Sequence, residues 1–201
     1  SERRGEALAR LEQAIARLGA AGEEIQKGRA VSHLAVLRME MGAETRALET
    51  YNDALEIHRK AGDRRYEGVT LANLGVQQQR LGLLKQARAN YQASLAIHRE
   101  LGNRRSEGIA HINLGDLAAD LEQPGQALAH YETALQIVRE VGARRFEGIA
   151  LLSLASLHLQ YGEYEDTQRR IDEAIATHEE VGDSRHLGLA LAIKAAVMSL
   201  L

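Results

Sequence analysis

In a chain without cysteine, chemistry must come from histidines, acids, hydroxyls and cationic side chains, and this one has eight histidines and 28 acidic residues among 201. A metal site needs imidazoles brought together, as two histidines four apart on one helix face would do. No His-x-x-x-His pair occurs. His58, His98 and His178 instead share one phase of an internal 40-residue spacing, which spreads them along the chain. They read as surface histidines near helix C-termini, where partial positive charge is favourable. No metal and no cofactor are expected. G-x-S-x-G, zincin and Walker motifs are also missing from the sequence, so an enzyme is not expected.

A set of polar and apolar residues at helical spacing is more informative. With residues 104–121 taken as a helix, Arg105, Ile109, Asn113, Asp116 and Asp120 step by three and four and share one face. Equivalent stripes are Arg65, Val69, Asn73, Val76 and Arg80; Arg145, Ile149, Ser153, Ser156 and Gln160; and Arg185, Leu189 and Ile193. A guanidinium offers five donors, and an Asn amide offers both donor and acceptors, so such stripes suit a partner segment. The competing reading pairs Arg65, Arg105 and Arg145 with Glu67, Glu107 and Glu147 or with an acid of the adjacent hairpin, as surface ion pairs of small individual worth. Both readings stay open. Arg64, Arg104 and Arg144 are expected to be solvated.

The elements that position these stripes form a repeat. Residues 91–115 match residues 51–75 at 13 of 25 positions, a third copy starts at Tyr131, and weaker frames extend to both sides. A period of this length implies stacked supersecondary units, each burying its apolar face against its neighbours. Ten helices are expected, near 3–21, 24–41, 44–61, 64–81, 84–101, 104–121, 124–141, 144–161, 164–181 and 184–200, joined by loops of two or three residues and hence antiparallel. Gly22, Gly62, Gly102, Gly142 and Gly182 suit left-handed helix ends, as do Gly42, Gly82 and Gly162; Glu122 replaces glycine before Pro124-Gly125. Asp63, Asn103 and Asp183 are expected caps. Ala143 is not, which weakens that helix start by about 1 kcal/mol. A further glycine phase (Gly28, Gly68, Gly108, Gly148, Gly188) lies inside helices, and close approach of a neighbouring helix backbone is its expected reason.

Within each unit the order Leu-Gly, Gly, Ala, Tyr, Ala resembles the tetratricopeptide pattern, as in Leu74-Gly75, Gly82, Ala87, Tyr91 and Ser94, and in Leu114-Gly115, Glu122, Ala127, Tyr131 and Ala134. Departures are Ala35, Ala155 and Ala195 for the first glycine, Thr167 for an alanine and Ile171 for a tyrosine. The 40-residue length and GDRR-x-EG linker are similar to the long-repeat subgroup of Pins-type scaffolds, kinesin light chains and bacterial signalling arrays. The resemblance implies an all-α, right-handed superhelical solenoid whose first helices line a concave groove for extended peptides or helices. In that subgroup, asparagines at the phase of Asn73 and Asn113 hold a peptide backbone.

The expected organisation is therefore a single solenoid over 1–201, with units near 24–61, 64–101, 104–141 and 144–181, a partial helix at 1–21 and a capping helix at 184–201. Lys194 occupies the phase of Leu34, Leu74, Leu114 and Leu154, and is expected to face water as part of that cap. Ser1 reads as an expression remnant. The expected function is non-enzymatic binding of a partner segment, first of all an acidic one, within a larger bacterial regulator. The groove would comprise Arg65, Val69, Asn73, Arg105, Ile109, Asn113, Asp116, Arg145, Ile149, Ser153 and Arg185. A ligand-sensing array with an attached effector domain is the alternative. A nucleic-acid binder ranks lower at net charge −3 and 3% aromatics. The lack of cysteine and of a long apolar run points to a cytoplasmic protein with no membrane partner, and the solvating cap at Lys194 to a monomer.

Overall fold

The computed structural model describes the backbone of residues 2–200 and the side chains of residues 4–200; Ser1 and Leu201 lie outside the described residues. The chain is all-α: α1 Glu2–Ala20, α2 Glu24–Glu40, α3 Glu44–Ala61, α4 Arg64–Arg80, α5 Leu84–Glu100, α6 Arg104–Asp120, α7 Pro124–Glu140, α8 Arg144–Gln160, α9 Tyr164–Glu180 and α10 Ser184–Met198. These bounds fall within about two residues of the ten expected helices. The helices form a repeat solenoid in two compact units, residues up to 97 and residues 98 onward.

In the first unit, Ala35, Tyr51, Leu55, Leu71, Leu74 and Ile97 form a buried cluster. The second has a larger core centred on Tyr131, Leu135, Leu151, Leu154 and Ile171. Large and small residues interdigitate in both. A Cβ added at Gly75 would lie 2.6 Å from the Tyr91 ring, and one at Gly115 would meet Tyr131. Where Ile171 replaces the tyrosine, the paired position is Ala155, and both are fully buried. The helix-interior glycines have a different cause from the expected one. Side chains of the following helix, in the same hairpin, seat on them: His58 on Gly28, Val138 on Gly108 and His178 on Gly148. Side chains make the nearest approach at all three; at Gly108 the Ala134 carbonyl follows at 3.7 Å from an added Cβ, and Gly188 has nothing within 4 Å.

His58, His98 and His178 are consequently core residues, 0%, 2% and 0% exposed, which corrects the surface reading. Burial lowers the His58 and His178 pKa values, so the neutral forms fit the interior. Helix starts follow the sequence. Asp63, Asn103 and Asp183 accept from the amides of Tyr66, Ser106 and His186, while Ala143 supplies no side-chain cap.

Arg64, Arg104 and Arg144 also differ from expectation. Glu67, buried in α4, accepts from Arg59 Nε at 2.9 Å and Arg64 Nη1 at 2.6 Å. Glu107 is held likewise by Arg99 and Arg104, and Glu147 by Arg139 and Arg144. Desolvation acts to raise the pKa of Glu67 and of Glu107, but the two guanidiniums on each outweigh it and hold the value low. Arg104 and Arg144 reach further, to Glu140 and Glu180 at the end of the next helix. These cations clasp buried carboxylates because a buried acid without partners is costly.

Candidate functional site

The stripes approach two concavities, one in each unit. In the first unit a cavity of about 350 Å³ is lined by Val36, Met39 and Glu40 of α2, Tyr51 of α3, and Asn73, Val76, Gln77 and Arg80 of α4. Three members of the α4 stripe are thus together. Arg65 and Val69 lie outside the lining, and Arg65 is exposed.

Gln77 was not singled out by the sequence reading. It is 1% exposed, and neither its amide nitrogen nor its amide oxygen has a hydrogen-bond partner. The same phase carries Leu37, Leu117, Leu157 and Val197, so an amide occupies a position otherwise given to hydrocarbon. A buried, unpaired polar group costs about 1–3 kcal/mol. The signal was present as one polar residue in an apolar column.

In the second unit a cavity of about 320 Å³ is lined by Ile149, Leu152, Ser153, Ser156, Leu157 and Gln160 of α8, by Asp116, Ala119 and Tyr131, and by His186 and Leu189 of α10. Four α8 stripe residues line it, along with Asp116 from α6. Asp116 accepts from the Tyr131 hydroxyl at 2.7 Å, with the Ser153 hydroxyl at 3.5 Å. Desolvation raises its pKa against these hydrogen bonds. Burial, with Asp116 adding to it, pushes the Tyr131 phenol up as well. The walls are aliphatic and the polar groups include a carboxylate, so this hollow suits a donor-bearing group beside apolar side chains.

Arg105, Ile109, Asn113, Arg145 and Arg185 do not line that cavity. Arg105 lies over the Phe146 ring at 5.1 Å, a cation–π contact. Arg145 Nε donates to Asp183 at 3.1 Å, the pairing with an adjacent hairpin that one sequence reading anticipated. Arg185 is exposed, and Ile109 and Asn113 are half-buried. In α10, Lys194 is half-buried and pairs with Asp172 at 2.7 Å, so it is not simply solvated, and Leu191 is 49% exposed.

Comparison with known proteins identifies the array. The family model described as Tetratricopeptide repeat matches residues 28–100 and 69–140, together more than half of the chain. The chain belongs to the tetratricopeptide repeat family. A second model, described as anaphase-promoting complex subunit 5, matches residues 142–199. No curated protein sequence matches. Among solved structures, BtubC (BKLC) from P. vanneervenii is 19% identical with TM-score 0.84, covering 98% of this chain and 83% of that one. A Rap protein complexed with Competence and Sporulation Factor is 18% identical with TM-score 0.83, covering 100% and 59%. A STAND protein with a tetratricopeptide repeat sensor from Pyrococcus horikoshii is 22% identical with TM-score 0.77, covering 98% and 31%. The chain thus spans less than two thirds of the Rap and STAND proteins, and at these identities the likeness shows the fold alone. As a tetratricopeptide array this is a protein-interaction module, of a fold that generally serves as a non-catalytic scaffold. Among the described residues no helix is long and apolar enough to cross a membrane.

Proposed function

We propose that the chain docks an extended segment of a partner protein, with Asn73 and Gln77 of the first unit holding peptide amides. The observation that carries this reading is the Gln77 side chain, buried at a cavity wall with both amide atoms unpartnered. A peptide bond offers one donor and one acceptor in a plane and satisfies a carboxamide on both sides. Val36, Met39 and Val76 supply adjoining apolar contact. Charge does not select the segment here, because Arg80 and Glu40 line the same hollow. The second unit favours an acidic segment still less, since Asp116 lines its cavity and Arg145 is engaged by Asp183. The occupant of choice is a segment rich in apolar and uncharged side chains. The Rap protein that shares this fold binds a Competence and Sporulation Factor, which supports docking of a segment. A sensing array attached to an effector domain is consistent with the fold likeness to the STAND sensor.

Selection of short random peptides on the wild-type chain, with affinities remeasured on Gln77→Leu and Asn73→Ala, tests the reading. Losses of at least about tenfold on both variants, or about 1.4 kcal/mol, are expected. Gln77→Leu should meanwhile stabilise the free chain by about 1–3 kcal/mol, since it removes an unpaired amide. A library without binders, or binders indifferent to both substitutions, overturns the proposal.

A further inference from the structure

We propose a divalent transition-metal site, of zinc type, formed by His178, Asp183 and His186. One nitrogen or oxygen of each lies within 4.8 Å of the others. His178 lies in the last turn of α9, Asp183 caps α10 and His186 sits in the first turn of α10, so the short turn between two helices brings together residues spaced five and three apart. The imidazoles stack with centroids 5.3 Å apart, and His186 Nδ1 is 2.8 Å from Asp183 Oδ2. Two imidazoles and one carboxylate are a familiar zinc donor set that leaves a fourth position open.

His178 separates this cluster from a helix cap with a nearby histidine. It is fully buried, and neither ring nitrogen has a hydrogen-bond partner; the Gly148 backbone approaches the ring without hydrogen-bond geometry. His58 has the same phase and also seats on a glycine, but its Nε2 meets the Ser32 hydroxyl at 2.9 Å. In the later hairpin the place of Ser32 is taken by Leu152, so that satisfaction is lost. The third ligand is also particular to the last hairpin. The phase of His186 carries Tyr66, Ser106 and Phe146 elsewhere, and only at residues 178, 183 and 186 do all three donors coincide.

Zinc bonds of about 2.0–2.1 Å place tetrahedral nitrogen and oxygen ligands about 3.3 Å apart, so the set must close by about an ångström or more at its widest. The His186 side chain is 25% exposed and that of Asp183 9%, so solvent reaches the cluster from the His186 side. Arg145 is the competitor: its Nε lies 3.1 Å from Asp183 Oδ2, and its side chain is 64% exposed and free to swing outward. Metal binding would exchange this cation for a stronger one and free the Arg145 guanidinium.

Titration of the metal-free full chain with Zn²⁺, followed by calorimetry and thermal melting, decides the matter. One equivalent should bind and raise the melting temperature. Asp183→Asn keeps a helix cap but loses the charge, and His186→Ala keeps the buried His178; each should weaken binding at least about tenfold. Arg145→Ala should tighten it. His158→Ala, in the second cluster with Glu163 and Asp166, should leave it unchanged. No Zn²⁺ binding, or binding that survives both Asp183→Asn and His186→Ala, overturns the site.

Discussion

Glu122 shows how one residue departs from the repeat and at what energetic penalty. It is the one non-glycine residue with positive φ among the described residues, at 55°, where Gly42, Gly82 and Gly162 take φ of 73–77°. Its amide still closes on the Ala119 carbonyl at 2.9 Å, so the helix end keeps its form despite the Cβ. The left-handed region costs an L-residue about 1–2 kcal/mol, partly offset by the greater freedom a glycine has when unfolded. Glu122→Gly should therefore stabilise the chain by about 0.5–1 kcal/mol, measured as an upward shift of a few degrees in the thermal midpoint. A lower midpoint would mean the Glu122 side chain makes contacts worth more than the strain. Gln77 departs in the opposite way, a residue of ordinary backbone and costly side chain, and its substitution by leucine trades binding for stability.

The helices themselves were legible almost throughout, because turn glycines, caps and three-four apolar spacing all act within a few residues in sequence. Pairings that span hairpins were not. The Arg59 and Arg64 clasp on Glu67 joins two helices, and sequence phase alone pointed to Arg65 as the partner of that acid. His178 and His186 come together only through a helix-to-helix turn, which a search along single helices misses. Burial of His58 and His178 was hidden too, since the glycines that receive them lie 30 residues earlier, on the other helix of the hairpin. Stripe residues supply part of both cavity walls, while the arginines at positions 65, 105, 145 and 185 stand outside. The start of α8 offers a test at this scale. Ala143→Asp restores the kind of cap that Asp183 gives α10, and Arg105 stands one hairpin before position 143 as Arg145 stands before Asp183. The substitution should add about 1 kcal/mol of stability and protect the amides of the first turn of α8 from hydrogen exchange. Unchanged protection would show that this start is already held by its packing.

Acid sensitivity belongs to the whole molecule, because four histidines in the two units share a depressed pKa: His58, His111, His130 and His178. His111 is the strongest case. Arg99 Nη2 donates to its Nε2 at 3.1 Å, so its proton must sit on Nδ1, which faces His130 Nδ1 at 3.0 Å and donates to it. Burial, then the charges of His130 and Arg99, lower its pKa to about 4; Glu107 opposes the shift and Arg104 adds to it. A second proton would have to be placed against a guanidinium. The unfolded chain binds that proton near pH 6.5 and the folded chain only near 4, so stability is complete above 6.5 and declines as pH falls between the two values. By pH 5 this single group removes about 2 kcal/mol. The lowered carboxylates of Glu67 and Glu107 add their own loss at lower pH, as the ordinary carboxylate range is passed. Denaturant midpoints should accordingly fall between about pH 7 and pH 5, before ordinary carboxylates titrate to any great extent. His111→Gln, which keeps a donor and an acceptor but cannot take up a proton, should flatten that slope even if it lowers the midpoint at about pH 7. A flat profile for the wild-type chain, or a slope unchanged in His111→Gln, would show that the imidazole pair is protonated as readily folded as unfolded.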